Sequence, residues 1–168
     1  KGRKLGTEIA VRGHTVITGA CPGIPHEVAQ SAHKNGGQVI GYSPACSREQ
    51  HITDGMPVEG YTELIFLPKE AEKRRIEVRY KLRNIDSVEA CDAAIFISGR
   101  VGTLNEYTLA YDLLKPFAAL LGTGGAADAL EDIARRIPKK PQPFMCFSAD
   151  YIEILNELEK AASASAKD

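Results

Sequence analysis

The fold is decided by the stretch Ala93–Glu106, which reads AAIFISGRVGTLNE. It opens with a short, unbroken apolar run, which is typical of a parallel strand buried on both faces. Two glycines follow, at positions 99 and 102, and an amphipathic helix with Tyr107 and Tyr111 on its apolar face comes next. A strand, a glycine-rich turn and a helix in this order predict one unit of an α/β fold.

The same alternation of apolar runs and helical stretches continues in both directions from this unit. Strands are predicted at Thr15–Thr18, Gln38–Tyr42, Glu63–Leu67, Ala93–Ser98, Phe117–Leu121 and Phe144–Phe147. Helices are predicted at about 4–12, 26–35, 70–90, 104–114, 126–136 and 149–162. This order predicts a single nucleotide-binding domain over residues 1–168, with a Rossmann-like, doubly wound, mostly parallel sheet and helices on both faces.

The two ends of the sequence carry expectations of their own. Lys4–Arg12 reads as the first helix of a doubly wound fold, although such a fold normally opens with a strand. Two explanations stay open: the sequence begins late and an N-terminal strand precedes residue 1, which we favour, or the protein lacks that element. At the other end, Ala161–Asp168 is small and polar, and we expect a disordered tail.

Length, charge and cysteine spacing narrow the class of protein. The 168 residues suffice to bury about two-thirds of the unfolded surface. The formal net charge of -1 gives no general attraction to nucleic acid or to anionic membranes, so any phosphate binding must be local. The four cysteines form no Cys-x-x-Cys pair, and no apolar run approaches the roughly 20 residues of a membrane helix. We therefore predict a cytoplasmic protein with no bound metal, no cofactor and no membrane partner.

A first candidate ligand turn, Thr18–Pro25, follows one predicted strand and precedes the next helix. Gly19 and Gly23 would let the backbone approach a phosphate, and the helix start offers free N–H groups. A dinucleotide site also needs an acidic residue about 20 residues further on, and Gly41–Pro44 contains none. NAD is therefore disfavoured, and a phosphate site and an empty tight turn both remain open.

The turn that follows the strand in the opening stretch is the stronger candidate. Gly99, Gly102 and Thr103 at a helix start form a cradle for an anion, and Arg100 adds a guanidinium. The alternative is a capping box, in which Thr103 caps the helix and Glu106 reaches back to its amide. The two interpretations are compatible, because a capping Glu106 already points towards the crevice.

Two further features complete the candidate site. Arg75, Arg79 and Arg83 form one stripe on the long predicted helix. Glutamates elsewhere on this helix favour a solvated, salt-bridged surface for Arg75 and Arg79, whereas Arg83, nearer the next strand, is favoured as a functional residue. A last glycine cluster includes Gly122 and Gly124, nucleotide-binding candidates that either line the same crevice or only turn the chain.

The order of these residues resembles the signature of the Lonely Guy family of cytokinin-activating phosphoribohydrolases. That signature, an arginine–lysine pair followed by PGGxGTxxE, is similar to Arg83 and Asn84 followed by Ser98–Glu106. Gly19 and Gly23 also match the family, and the likeness covers about residues 5–150.

The resemblance implies a Rossmann-like homodimer that cleaves the N-glycosidic bond of an N6-modified adenosine 5′-monophosphate. The products would be the free base and ribose 5-phosphate. It also implies that Arg83 and Glu106 are catalytic and that Asn84 lies among the nucleotide-binding residues. The family's older label, lysine decarboxylase, is set aside, because pyridoxal phosphate needs a Schiff-base lysine and the three glycine turns contain none.

Four positions depart from the family signature: Ser98 replaces the proline, Arg100 replaces a glycine, Asn105 replaces an acidic residue and Asn84 replaces the lysine. The leading hypothesis is a nucleoside 5′-monophosphate phosphoribohydrolase. The alternative is a binding module that holds or senses the nucleotide without cleaving it. A single-stranded DNA-binding protein is less favoured, because strand binding needs a basic groove with interleaved aromatics and this chain has balanced charge and no tryptophan.

Overall fold

Helices and strands alternate along residues 1–165, the part of the chain that the computed structural model describes. The α-helices within it are α1 (Gly2–Val11), α2 (Ile24–Lys34), α3 (Arg48–Thr53), α4 (Ile76–Ala90), α5 (Val101–Asp112), α6 (Gly125–Arg136) and α7 (Tyr151–Ser165). The strands are β1 (Val16–Thr18), β2 (Val39–Tyr42), β3 (Glu63–Ile65), β4 (Ala94–Ile97), β5 (Phe117–Leu120) and β6 (Met145–Ser148). The predicted α/β class is confirmed, and every predicted strand overlaps an observed one.

The contacts divide the chain into two compact units, residues 1–87 and residues 88 onwards. The first contains a parallel sheet in the order β1-β2-β3, and the second a parallel sheet in the order β4-β5-β6. Parallel pairing agrees with the prediction, because helices connect successive strands in both units. The single domain over residues 1–168 stays a prediction.

The first unit is built around the helix α2 and the strands β1 and β2. Its core cluster consists of Val16, Val28, Ala29, Ala32 and Val39. The helix α1 packs closely on α2, because a side chain at Gly6 would come within 2.3 Å of the carbonyl oxygen of Val28. Gly6 therefore permits this helix contact.

The second unit is built around β5, which lies between β4 and β6 and whose residues are all buried. Phe117 and Ala119 belong to the core cluster with α5 and α6, whereas Ala118 and Leu120 pack with α7. Successive residues of a strand point to opposite faces of the sheet. Helices therefore cover both faces of this sheet, as its unbroken apolar sequence predicts.

The helix α3 was not among the predicted elements, although its sequence carries a start signal. Ser47 is the N-cap residue, and its hydroxyl accepts a hydrogen bond from the N–H of Gln50 at 3.2 Å. The side-chain oxygen of Gln50 in turn accepts from the N–H of Cys46 at 2.8 Å. A serine followed three residues later by glutamine is the pattern of a capping box, so this short helix was open to prediction.

Two helix boundaries differ from the sequence prediction. The helix predicted over 70–90 begins as a 3₁₀ helix, Lys69–Lys73, which ends at the extended residue Arg74 before α4 starts. The helix α7 continues through Ser165, so the first residues of the predicted tail are helical, and residues 166–168 lie outside the described part. Within the described residues, no helix combines the length and apolar character that crossing a membrane requires.

Candidate functional site

The turn between β4 and α5 has a strained backbone. Ser98 has a φ of 52° and Gly99 a φ of 87°, so both lie in the left-handed region. This region is costly for serine, and such a conformation persists where surrounding bonds hold it. The Ser98 N–H donates to Oγ1 of Thr123 at 2.8 Å, and the Ser98 carbonyl accepts from the N–H of Ala127 at 2.9 Å. The loop before α6 and the first turn of α6 therefore fix this turn.

Gly99 has to be glycine because of its contact with Thr103. A Cβ at Gly99 would lie 2.0 Å from Oγ1 of Thr103, and the positive φ independently favours glycine. A Cβ at Gly125 would similarly lie 2.2 Å from the Gly99 carbonyl oxygen. Gly99 and Thr103, both predicted to bind phosphate, are thus packed against each other. The Thr103 side chain packs against the turn and stabilises it, and the backbone N–H of Thr103 can still donate to a ligand.

The helix α5 begins at Val101, which rules out the predicted capping box. Arg100 is the N-cap residue, and its side chain makes no capping hydrogen bond. The N–H of Leu104 donates to the Arg100 carbonyl at 3.2 Å, which places Thr103 inside the helix rather than at its cap. The capping-box prediction for Thr103 and Glu106 is therefore wrong.

The first turn of α5 offers N–H groups that no described protein atom uses. Val101, Gly102 and Thr103 donate no backbone hydrogen bond to any residue in the described range. Val101 is 73% exposed, and a Cβ at Gly102 would meet nothing within 4 Å. A helix start carries partial positive charge, and the exposed Arg100 adds a full one. This combination is the usual chemistry of a phosphate site.

Glu106 lies on α5 after the open turn, and its side chain is half-buried. Residues three positions apart share a helix face, so Glu106 and Thr103 are neighbours on α5. Arg83, the other residue predicted to be catalytic, belongs to the first unit.

The glycine turn before α6 already holds an anion that belongs to the protein. The carboxylate of Asp128 accepts hydrogen bonds from the N–H groups of Gly122 (2.8 Å), Thr123 (3.3 Å) and Gly124 (3.0 Å). These N–H groups can reach an external phosphate only if Asp128 moves away. Of the two interpretations left open for Gly122 and Gly124, the geometry favours a turn that binds no external ligand.

In the first unit, the turn after β1 is shaped by an arginine. A Cβ at Gly19 would lie 1.3 Å from Nη1 of Arg83, so the guanidinium occupies the space that the missing side chain leaves. Gly23 is the N-cap of α2 with a φ of 103°, and Pro25 in the first turn has no N–H to offer. The start of α2 is therefore a poorer anion site than the start of α5.

Aromatic and thiol groups surround the Arg83 guanidinium. Nη2 of Arg83 lies 3.7 Å from Sγ of Cys21, and the guanidinium carbon lies 5.8 Å from the centre of the Tyr80 ring. Burial raises the pKa of Tyr61 and of Tyr80, and in both cases the nearby Cys21 raises it further while Arg83 opposes the rise. Both phenols therefore stay protonated at neutral pH and can donate hydrogen bonds.

The three arginines predicted to form one stripe lie in different environments, and the first of them, Arg75, precedes α4. Arg75 is exposed and pairs with Glu77 at 3.3 Å, as expected of a solvated surface. Arg79 is only 8% exposed, so its assignment to that surface is wrong. Arg83 is also 8% exposed and Asn84 is 3% exposed, which places both inside the first unit.

The first unit also contains a buried hydrogen-bonded pair, Ser43 and His51, that was not predicted from the sequence. Oγ of Ser43 lies 2.8 Å from Nδ1 of His51, and Nε2 of His51 lies 2.9 Å from the carbonyl oxygen of Pro57. A carbonyl only accepts, so Nε2 carries the proton and Nδ1 accepts from the Ser43 hydroxyl. No motif spacing marks such a pair, which forms because α3 places the buried His51 side chain beside Ser43.

We expect Gly19→Ala to displace Arg83 rather than to unfold the protein. The clashing atom is the end of a flexible side chain, which can rotate away, and the φ of Gly19 is not left-handed. If Arg83 contributes to ligand binding, Gly19→Ala and Arg83→Ala should weaken affinity to a similar extent, by about tenfold for a lost charge-assisted hydrogen bond. Calorimetric titration of both variants with AMP checks this, and thermal unfolding establishes that both variants fold. Normal affinity in both variants would remove Arg83 from the ligand site.

A family model and several solved structures are similar to this chain. The model described as the SLOG cluster4 family matches residues 1–147. The solved protein designated TM1055 is similar with a TM-score of 0.77 and 21% sequence identity, covering 95% of this chain and 85% of that chain. None of the curated proteins matches the sequence.

Two further solved structures have the same fold. A molybdenum cofactor binding protein from Rippkaea orientalis matches with a TM-score of 0.69 and 23% identity, covering 94% of this chain and 85% of its own. DNA processing protein A from Helicobacter pylori, whose structure is described for its single-stranded DNA binding mode, matches with a TM-score of 0.62 and 17% identity. The match covers 95% of this chain and 72% of that protein. At these identities the likeness shows the fold, and it agrees with the Rossmann-like class predicted from the sequence.

Proposed function

Because the chain belongs to the SLOG cluster4 family, we propose that it binds a nucleoside 5′-monophosphate and hydrolyses its N-glycosidic bond. The observation that carries the proposal is the first turn of α5. There the N–H groups of Val101, Gly102 and Thr103 have no acceptor among residues 1–165, and Gly102 leaves room for an incoming group. A phosphate is the ligand that such a helix start favours.

Glu106 supplies the chemistry in this proposal. It lies roughly 6 Å beyond Gly102 along the helix axis, at 1.5 Å per residue. That separation is close to the span between the 5′-phosphate and the anomeric carbon of a nucleotide. A carboxylate there stabilises the positive charge that develops on the sugar, or accepts a proton from the attacking water.

The reaction balances without a cofactor. The bond between the anomeric carbon and the base nitrogen breaks, and its electron pair leaves with the base. Water adds to the anomeric carbon through its oxygen, and one of its protons passes to the carboxylate. The departing base takes a proton from solvent, and the carboxylate then returns its proton to solvent, so that one water is consumed and the carboxylate is regenerated. Binding energy from the phosphate holds the ribose in place for this step. The resemblance gives Arg83 a part as well, which stays a prediction.

A non-catalytic carrier is the second candidate, and Arg100 favours it. An exposed arginine stands where the Lonely Guy signature has a glycine, so a bulky cation flanks the proposed phosphate position. The similar protein from Rippkaea orientalis binds a molybdenum cofactor. A carrier of this kind would hold a phosphorylated heterocycle and release it unchanged.

Turnover and binding separate the two candidates. The full chain is incubated with AMP and with isopentenyl-AMP, released base is measured by chromatography, and affinity is measured by calorimetric titration. Released base supports the hydrolase. Saturable binding without released base leaves the carrier and rejects the hydrolase, and the absence of both rejects the phosphate site itself.

The remaining expectations concern partners and location. Binding of single-stranded DNA is less favoured, because the net charge of -1 and the absence of tryptophan argue against a basic groove lined with aromatic residues. A shift assay with oligonucleotides over a series of salt concentrations tests this, and tight, salt-sensitive binding would reverse the ranking. The homodimer and the cytoplasmic location stay predictions.

A further inference from the structure

The helix α4 buries a guanidinium whose charge is not balanced within residues 1–165. Arg79 is only 8% exposed, and a buried cation is unfavourable unless an anion or several good hydrogen bonds compensate it. Its Nη1 donates to the carbonyl oxygen of Pro44 at 3.3 Å, which is a long hydrogen bond to a neutral group. No carboxylate among the described residues forms an ion pair with it. Arg79 therefore lacks a counter-charge in this part of the protein.

Neighbouring residues make the missing partner of Arg79 more evident. Arg75, just before α4, is exposed to water and still has Oε2 of Glu77 at 3.3 Å from its Nε. Burial is the main cause that raises the pKa of Tyr80, and the charges of Asp54 and Arg79 act on it in opposite directions, so both lie near this ring. Asp54 nevertheless makes no ion pair with Arg79 in the described chain. The exposed arginine has a carboxylate, and the buried one, which needs it more, has none.

One edge of the Arg79 guanidinium is left open. Its Nε is buried and has no hydrogen-bond acceptor among the described residues. Its Nη2 has no acceptor there either, but it is not one of the buried atoms, so solvent reaches it. The N–H groups of Nε and Nη2 lie in one plane and point the same way, which is the fork that holds both oxygens of a carboxylate. The open edge therefore has the form of an oxyanion receptor with its entrance at Nη2.

The contact at Nη1 is fixed by the segment after β2. The N–H of Ser43 donates to the carbonyl oxygen of Ile65 at 2.8 Å, and the N–H of Ala45 donates to Oγ of Ser43 at 3.0 Å. Oγ of Ser43 also lies 2.8 Å from Nδ1 of His51, which is fully buried. These bonds hold the Pro44 carbonyl, and Nη1 of the arginine with it, so the open edge is preorganised.

We infer that Arg79 binds one carboxylate group of a small-molecule ligand through Nε and Nη2. Pro44 comes shortly after β2, a strand that pairs in parallel with β1 and β3, and ligands of open α/β sheets bind at the carboxyl ends of the strands. A carboxylate offers two coplanar oxygens to the two donors, and its single negative charge balances that of the guanidinium. Neither the start of α5 nor Glu106 is required, so this site can be tested whatever the outcome for hydrolysis.

Nuclear magnetic resonance can observe the Nε–H group of Arg79 directly. The isotope-labelled full chain is titrated with sodium formate, the smallest carboxylate, and in parallel with sodium chloride and sodium phosphate at matched ionic strength. We expect formate to shift the Arg79 Nε–H signal and to saturate, because a charge-assisted hydrogen bond forms there. The Nε–H signal of Arg75, which already faces Glu77, should show no saturable shift. The Arg79→Lys variant lacks the first signal and therefore assigns it.

Thermal unfolding of variants adds an independent measurement. Formate should raise the unfolding midpoint of the parent chain above that in chloride, because a ligand that binds only the folded state stabilises it. Arg79→Met should raise the midpoint in chloride, because it removes a buried unbalanced charge, and should abolish the response to formate. Arg79→Lys keeps the charge without the planar fork and should weaken formate affinity at least about tenfold. Arg75→Met is the matched control and should leave the formate response unchanged.

Three results would overturn this inference. The first is the absence of a saturable formate shift at the Nε–H of Arg79. The second is a shift with phosphate but not with formate, which assigns the edge to another class of ligand. The third is an Arg79→Met variant that has a lower midpoint in chloride and responds fully to formate, because Arg79 is then an internal clamp on Pro44. If Arg79→Met does not fold, the formate shift in the parent chain and the affinity of Arg79→Lys decide.

Discussion

Glu106→Gln is expected to lower the release of base from AMP at least about a hundredfold while leaving AMP affinity close to that of the parent chain. A positioned carboxylate that works as a base or stabilises the sugar cation contributes about this much. Glutamine has nearly the same shape, so the helix and the open turn before it should persist. Because α5 has its N-cap at Arg100, loss of a helix cap cannot account for any change. Initial rates and calorimetric titrations of both proteins provide the measurement.

Asp112→Asn is the matched control for the effect of removing a carboxylate from α5. Asp112 lies in the last turn of the same helix, is exposed, and pairs with Lys139. Its replacement should leave both turnover and AMP affinity unchanged. Near-normal turnover in Glu106→Gln would mean that this carboxylate takes no part in the reaction, and the carrier would then become the favoured function.

Gly102→Asp is expected to stabilise the protein and at the same time to abolish ligand binding. A side chain at this position meets no atom within 4 Å. Replacing an exposed helical glycine and adding a negative charge in the first turn should together stabilise the fold by about 0.5–1 kcal/mol. The new carboxylate can accept hydrogen bonds from the open N–H groups, as Asp128 does at the turn before α6. Repulsion and blocked donors should weaken AMP affinity at least about a hundredfold.

Gly102→Asn and Gly102→Ala separate charge from size in this experiment. Asparagine has the shape of aspartate without its charge, and alanine adds only a methyl group. We expect both to keep the stability of the parent chain or exceed it slightly, and to weaken AMP affinity far less than aspartate. Urea denaturation and calorimetric titration give the two quantities. If Gly102→Asp binds AMP as tightly as the parent chain, the phosphate does not lie at this helix start.

The strands of the sheet could be predicted from the sequence because they are short, unbroken apolar runs. β5 is shielded on both faces, and Phe117–Leu120 accordingly contains no polar residue to break the run. The glycine turns could also be predicted from the sequence. The structure gives the reason for two of these glycines, because a Cβ would meet the Thr103 side chain at Gly99 and the Gly99 carbonyl at Gly125. The order of these elements identifies the α/β class, since each turn follows a strand and precedes a helix.

The details of the candidate site depend on contacts that local sequence does not encode. A capping box predicts that α5 starts after Thr103, but the Thr103 side chain turns to the space left by Gly99 and the helix starts at Val101. The burial of Arg79 depends on the packing of α4 against the segment after β2. Arginines spaced along one helix face do not by themselves show whether that face is buried or solvent-exposed. The role of Gly19 was likewise hidden, since the arginine that fills its space is distant in sequence.

The central position of β5 has a consequence for measuring ligand effects by hydrogen exchange. Its backbone amides lie in the middle of a sheet covered by helices on both sides, so deuterium should reach them only when the second unit opens as a whole. The first amides of α5 have no acceptor in the described part of the chain and should exchange almost as fast as a loop. The second unit therefore contains both slowly exchanging amides, in β5, and rapidly exchanging ones, at the start of α5. If a ligand slows exchange only at the start of α5, it binds there, whereas slower exchange in both places would indicate that the whole unit has become more stable.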